Sequence, residues 1–118
     1  MSNEPITIYH NPRCSKSRQT LALLEDAGIS PRVIEYLDHP PTAEELATLA
    51  NQLDMQPGEF IRSKEAAYNQ LIPPAGDRSP AELLAAMAAN PILIERPIVV
   101  RGNRAVLGRP PENVQQLL

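Results

Sequence analysis

A β-α-β pattern in the first third of the chain constrains the fold more than any other feature of the sequence. Ile6 to Tyr9 is a short β-rich run, and a helical pattern from about Ser15 to Ala27 stops at Gly28. Arg32 to Tyr36 then alternates β-branched with polar residues, which is typical of a strand. Two strands joined by one helix lie parallel with a right-handed crossover, so the sequence predicts an α/β fold.

Capping signals predict a helical block after this pattern. Thr42 with Glu45 three residues later forms a capping box, and the run from Ser79 to Glu82 combines a cap, a proline and a glutamate in the same way. Between them, Pro57 is expected to open a short helix that carries residues 60–62. The helical insertion therefore spans about residues 42–90.

The last third of the chain predicts a β-hairpin and a closing helix. Pro97 to Val100 and Ala105 to Leu107 flank Gly102-Asn103, a pair typical of a tight turn. Pro110 then opens a final short helix. Together these elements predict a single thioredoxin-like domain over residues 1–118, with a four-stranded mixed sheet and the helical insertion before the C-terminal hairpin.

Composition excludes several classes of protein. A chain of 118 residues with 42% hydrophobic and 21% charged residues is typical of one globular domain. No apolar run is long enough to span a membrane, and no signal-peptide pattern opens the chain. A net charge of −3 does not favour a nucleic-acid partner, and a single cysteine favours a reducing cytoplasm. We expect no membrane partner and no bound metal or cofactor.

Cys14 stands where the first strand meets the first helix. Helix N-termini favour anions, and the cations Arg13, Lys16 and Arg18 lie within four residues. Both influences favour the thiolate, which is the reactive form of cysteine. Protonated His10 would add another positive charge, although it is equally an ordinary polar residue of the turn. The alternative for Cys14 is a small buried hydrophobic residue, but this electropositive setting favours a nucleophile.

Arginines at the ends of the later strands form a second signal. Arg96 directly precedes Pro97, and Arg109 directly precedes Pro110. A residue before proline is held extended, which restricts where its side chain projects. Planar guanidinium groups match the oxygens of tetrahedral anions, and Arg62 in the insertion is a further candidate. Each arginine alone would be an ordinary surface charge, whereas their joint placement indicates an oxyanion site.

Four segments in order resemble the glutaredoxin-coupled arsenate reductase family, whose fold is also that of Spx-type regulators. They are Tyr9 to Cys14, Phe60 to Arg62, Asn90 to Val100 and Gly108 to Pro110, and the similarity covers the chain from Ile6 to Leu118. The resemblance implies an ArsC-like enzyme. Classical members carry Gly-Thr where this chain has Ser15-Lys16, and have a C-terminal extension beyond the position of Leu118. The chain is therefore most similar to a short chromosomal branch.

The resemblance also implies roles for individual residues. The cysteine matching Cys14 attacks arsenate, and the histidine matching His10 helps to favour its thiolate. The arginines matching Arg62, Arg96 and Arg109 bind the oxyanion, and the proline matching Pro97 follows a cis peptide bond. Reduction of arsenate to arsenite takes two electrons, so one cysteine needs an outside thiol. In the family, glutathione as co-substrate and glutaredoxin as partner supply it.

Three other functions compete with this one. Thioredoxin-coupled arsenate reductases carry several cysteines and an arginine six residues after the first, where this chain has Thr20, so that class is excluded. A related thiol oxidoreductase acting on another oxyanion or a glutathionylated substrate remains an alternative. A Spx-like regulator that binds RNA polymerase is the third, but Ser17 stands where the second cysteine of its redox switch would be.

Overall fold

The computed structural model describes residues 4–71 and 73–118, which divide into two compact units. The first combines residues 4–39 with Arg96–Leu118, and the second is Pro40–Glu95. The second unit corresponds to the helical insertion, and it is longer at both ends than the expected 42–90. No helix among the described residues is long and apolar enough to cross a membrane.

The first unit contains one mixed sheet of four strands, which confirms the predicted α/β class. The strands are β1 (Ile6–His10), β2 (Arg32–Glu35), β3 (Ile98–Arg101) and β4 (Arg104–Leu107), in the order β2-β1-β3-β4. β1 pairs parallel with β2 and antiparallel with β3, and β4 closes the predicted hairpin. Gly102 in its turn has φ +62°, a conformation that suits glycine.

One face of β1 forms the centre of the apolar core. Ile6 and Ile8 are buried on this face because alternate side chains of a strand point the same way. Helix α1 (Ser15–Asp26) covers it, and Gly28 ends the helical segment at φ +81°. The predicted final helix is a 3-10 segment over Pro111–Leu117 that packs on α1. The core cluster consists of Ile6, Ile8, Leu24, Val99, Val114 and Leu117.

The second unit contains the helices α2 (Ala43–Leu53), α3 (Ala66–Asn69) and α4 (Pro80–Ala89). Both predicted capping boxes are present: Thr42 and Glu45 open α2, and Ser79 and Glu82 open α4. In each, the hydroxyl accepts the glutamate N–H while the carboxylate accepts the N–H of the capping residue. α2 packs against α4 and buries the leucine stripe of α2.

The helix predicted across residues 60–62 was wrong. Pro57 opens only one 3-10 turn, Pro57–Glu59, and the chain then becomes extended. Ile61 forms a β-bridge with Ile94, and hydrogen bonds from Glu95 N–H to the Phe60 carbonyl and from Arg62 N–H to the Leu93 carbonyl flank it. So short a helix has little stability of its own, and pairing with residues 93–95 satisfies the backbone instead.

Candidate active site

Cys14 is the N-cap residue of α1, at the carboxyl end of β1. Its backbone is extended (φ −96°, ψ 123°), and its N–H donates to the Asn11 carbonyl at 3.0 Å. The Asn11 side chain accepts from the Arg13 N–H at 3.0 Å, so the loop before Cys14 is fixed by two local hydrogen bonds. Only 8% of Cys14 is exposed. The thiol thus sits at a defined position beside the unpaired amides of a helix start.

Backbone amides and one arginine act on this thiol. Burial opposes ionisation of Cys14, but the Ser17 N–H, the Arg96 guanidinium and the Lys16 N–H outweigh it, so the pKa of Cys14 lies below its ordinary value. The side chains of Arg13, Lys16 and Arg18 are exposed. The principal cation is therefore the distant Arg96, and not these neighbours as the sequence suggested.

Arg96 and Arg109 converge on Cys14 from the later strands. The Nη2 atom of Arg109 lies 3.7 Å from the Cys14 sulfur, while its Nε donates to the Arg96 carbonyl at 2.7 Å. Arg96 is half-buried and contributes a hydrogen bond and a positive charge to the thiolate. The Arg96–Pro97 bond, for which the sequence raised a cis geometry, is cis, and so is the Arg109–Pro110 bond. The arrangement offers two guanidinium groups to an anion held against the sulfur.

His10 is connected to the site through Ser17. The Ser17 hydroxyl lies 2.6 Å from His10 Nδ1 and accepts from the Asn11 N–H at 3.0 Å. Burial lowers the pKa of His10, Glu35 acts against this shift and Arg18 adds to it. Through its contact with the Ser17 hydroxyl, His10 orients the residue whose N–H faces the Cys14 sulfur, and direct help of His10 to the thiolate stays a prediction.

A close packing contact lies directly before Arg109. Gly108 is buried, and its N–H donates to the Pro97 carbonyl at 2.9 Å. A Cβ on Gly108 would lie 2.5 Å from Thr20 Oγ1 and 2.7 Å from Pro97 Cγ, closer than real Cβ contacts. Thr20 is fully buried in α1 and donates to the Lys16 carbonyl at 2.8 Å. Only glycine lets the strand approach α1 this closely.

Arg62 belongs to the second unit, where two carboxylates hold it. Its Nε lies 3.0 Å from Glu65 Oε1, and its Nη1 lies 2.7 Å from Glu95 Oε1. Burial would lower the pKa of Arg62, but these carboxylates raise it above its ordinary value. Oxyanion binding by Arg62 stays a prediction.

Sequence reasoning missed three features of these units. Arg62 forms one ion pair with Glu65, three residues further along, and another with Glu95, which is distant in the chain. The contact between Gly108 and Thr20 leaves no local pattern. A cavity beside the loop at residues 10–13 was also missed. Within residues 4–71 and 73–118, no group of three or more His, Cys, Asp or Glu side chains could hold a metal ion.

The fold and the Cys14 site together define a thioredoxin-like protein with a cysteine and two arginines beyond the end of its central strand. A sequence model of the ArsC family matches residues 9–117, and the chain belongs to that family.

Its relatives cover nearly the whole chain. An arsenate reductase of Haemophilus influenzae is 45% identical over 96% of this chain and 98% of its own length. The Escherichia coli protein YfgD, described as uncharacterized, is 46% identical over 96% of both chains. The solved structure of an arsenate reductase from Vibrio cholerae superposes with a TM-score of 0.93 at 49% identity, covering 99% of this chain and 100% of that one.

Proposed function

We propose that this protein reduces arsenate to arsenite, with Cys14 as the attacking thiol. The observation that carries the proposal is the contact of Arg109 with the Cys14 sulfur beside Arg96, in a thiol whose pKa is lowered. A thiolate flanked by guanidinium groups attracts a tetrahedral oxyanion and can attack its central atom. The activity named for the Haemophilus influenzae and Vibrio cholerae relatives supports the same reaction.

The first step forms a bond between sulfur and arsenic. The Cys14 thiolate attacks dihydrogen arsenate, one As–O bond breaks, and that oxygen takes up one proton and leaves as water. Arsenic stays pentavalent in this covalent intermediate. The thiolate and the arsenate are both negatively charged, and Arg96 and Arg109 would offset the repulsion between them. This electrostatic stabilisation is strongest in a site that is shielded from water.

The second step reduces arsenic with a thiol from outside the chain. The glutathione thiolate attacks the Cys14 sulfur, the S–As bond breaks, and its electron pair goes to arsenic, which takes up two protons and leaves as arsenous acid. A mixed disulfide between Cys14 and glutathione remains. A glutaredoxin thiolate then attacks the glutathione sulfur and releases the Cys14 thiolate. An external thiol is required because Cys14 is the only cysteine of the chain, and the reducing cytoplasm supplies it.

The test measures arsenite formed from arsenate with glutathione and glutaredoxin. We expect turnover by the wild-type protein and by Ser30→Ala, an exposed control substitution, and none by Cys14→Ser. Mass spectrometry should detect one glutathione adduct on the wild-type protein when glutaredoxin is omitted. Absence of arsenite with wild-type protein, or equal rates for Cys14→Ser, would refute the proposal.

The oxyanion ligands are tested separately. Arg109→Lys keeps the charge but loses the planar fork, so we expect the KM for arsenate to rise on the order of 10-fold. Arg62→Ala tests the ligand that the family resemblance predicts, and it should also raise the KM for arsenate. Arg104→Lys on β4 is the exposed control and should leave this KM unchanged.

A further inference from the structure

A cavity of about 270 Å³ opens beside the loop that precedes Cys14. The loop at residues 10–13 lines one side, and Glu35, Leu37 and Asp38 line the other. Both sides follow the carboxyl ends of the parallel strands β1 and β2, where ligands of open α/β sheets bind. Cys14, Arg96 and Arg109 are not among the described residues that line it, so the cavity adjoins the oxyanion site without being part of it.

The cavity carries both signs of charge. Arg13 supplies a guanidinium group on the loop side, and Glu35 and Asp38 supply carboxylates after β2. Leu37, which also lines the cavity, leaves 39% of its surface exposed and offers an apolar surface for methylene groups. The two carboxylates repel an oxyanion, and Arg13 repels a simple cation. A ligand with an ammonium and a carboxylate suits this lining.

His10 is a buried polar group with hydrogen-bonding capacity left on the cavity side. Only 6% of it is exposed, and Ser17 occupies its Nδ1 atom at 2.6 Å. Nε2 has no hydrogen-bond partner among the described residues, although His10 lines the cavity. A polar ligand group that reaches Nε2 from the cavity can form a hydrogen bond with the imidazole.

We propose that this cavity binds the peptide-thiol co-substrate, glutathione, by its charged γ-glutamyl end. The inference rests on the proposed function, since a second thiol must reach the Cys14 sulfur. Arg13 directly precedes Cys14, and their Cα atoms lie about 3.8 Å apart, so a peptide with its carboxylate on Arg13 is held beside the loop that carries the thiol. The ammonium faces Glu35 and Asp38, the methylene groups cover Leu37, and the thiol points along the loop toward the sulfur it attacks.

The binding test uses S-methylglutathione, which cannot react, and the wild-type protein observed by NMR titration. We expect chemical-shift changes centred on residues 10–13 and 35–38. Asp38→Asn and Arg13→Gln should each weaken binding about 3- to 10-fold, the size expected for a partly exposed charged contact. The matched controls Asp26→Asn on α1 and Arg32→Gln at the far end of β2 should leave the Kd unchanged.

A kinetic comparison separates loss of the binding site from a general folding defect, because a folding defect would lower the rates with both thiols equally. We expect Asp38→Asn to lower the ratio of the arsenate reduction rate with glutathione to that with β-mercaptoethanol, which has neither charge. Shift changes centred elsewhere, or equal Kd values for wild type, Asp38→Asn and Arg13→Gln, would overturn the inference. Arsenate reduction without binding at the cavity would overturn it while the proposed function stands. Binding there without arsenate reduction would support the cavity as a glutathione site and refute the proposed function.

Discussion

The replacement of Gly108 by alanine tests how closely the segment after β4, which carries Arg109, must approach α1. The added Cβ would lie 2.5 Å from Thr20 Oγ1, 2.7 Å from Pro97 Cγ and 3.1 Å from Thr20 Cγ2. None of these atoms is the free end of a flexible side chain: Thr20 is fully buried, and Pro97 is a ring. The φ of Gly108 lies outside the left-handed region, so the substitution adds a packing conflict and no backbone strain.

The magnitude follows from this conflict. Overpacking of a well-packed site costs about 1–3 kcal/mol. A chain of this length loses roughly 4 °C in Tm for each kcal/mol, so Gly108→Ala should unfold about 4–12 °C earlier. The shift needed to relieve the contact moves Arg109, the next residue. Because misplacement by about 1 Å can cost on the order of 100-fold in rate, we expect kcat/KM for arsenate to fall about 10- to 100-fold.

A double variant separates the packing conflict from a general loss of stability. Thr20→Ala removes two of the three close atoms, at the cost of about 1 kcal/mol for the hydrogen bond to the Lys16 carbonyl. Thermal unfolding and arsenate kinetics are measured for the wild-type protein, the two single variants and the double variant, which together form a double-mutant cycle. Gly108→Ala should cost less free energy of unfolding in the Thr20→Ala background, with a coupling of about 0.5–3 kcal/mol.

Two results would refute this reasoning. If Gly108→Ala unfolds at the wild-type temperature and keeps the wild-type kcat/KM, the close approach does not exist in solution. If the effects of the two substitutions on the free energy of unfolding are additive, the Thr20 side chain is not what prevents a larger residue at position 108.

Three further predictions concern charge and capping. The Arg96 guanidinium helps to offset the burial that opposes ionisation of Cys14, so Arg96→Gln should raise the pKa of the thiol. The rate of alkylation by iodoacetamide should then rise at a higher pH than in the wild-type protein, and an unchanged pH profile would contradict this prediction. Thr42→Ala removes one half of the α2 cap and should cost about 1 kcal/mol, or roughly 4 °C in Tm; no change would mean that the cap is frayed in solution. The backbone N–H and the hydroxyl of Ser79, the N-cap of α4, lower the pKa of the Glu82 carboxyl in the folded protein. The carboxylate therefore stabilises the fold above the pKa that it has in the unfolded chain, and this stabilisation is lost as the pH falls through the pKa of the folded state. The Tm difference between wild type and Glu82→Gln should therefore vanish in acid, and a constant difference would contradict this.

Local signals in the sequence predicted most of the fold. The first strand and helix, both capping boxes and the hairpin turn depend on residues within four positions of one another, and all were confirmed. The segment after Pro57 differed from the predicted helix because Ile61 pairs with Ile94, which lies far along the chain. Local propensity could not weigh that tertiary contact.

The site was predictable in its parts and not in its electrostatics. Cys14 at a helix start follows from the β-α pattern, and its lowered pKa agrees with that position. The source of the positive charge could not be read from the chain, because the cations next to Cys14 in the sequence are exposed, while Arg96 reaches the sulfur from the segment before β3. The lowered pKa of His10 likewise depends on burial, which a sequence does not display.

The central place of β1 in the sheet has a consequence for synthesis on the ribosome. β1 and β2 are made before the second unit, whereas β3, the other neighbour of β1, and both arginines near Cys14 are made after it. Until β3 is made, α1 can pack only on the two-stranded pair of β1 and β2, and both so small a sheet and an isolated helix of this length are marginal in water. We therefore expect the thiol of a nascent chain that stops before Arg96 to have a pKa nearer its ordinary value, and to react more slowly with oxidants than the thiol of the folded protein.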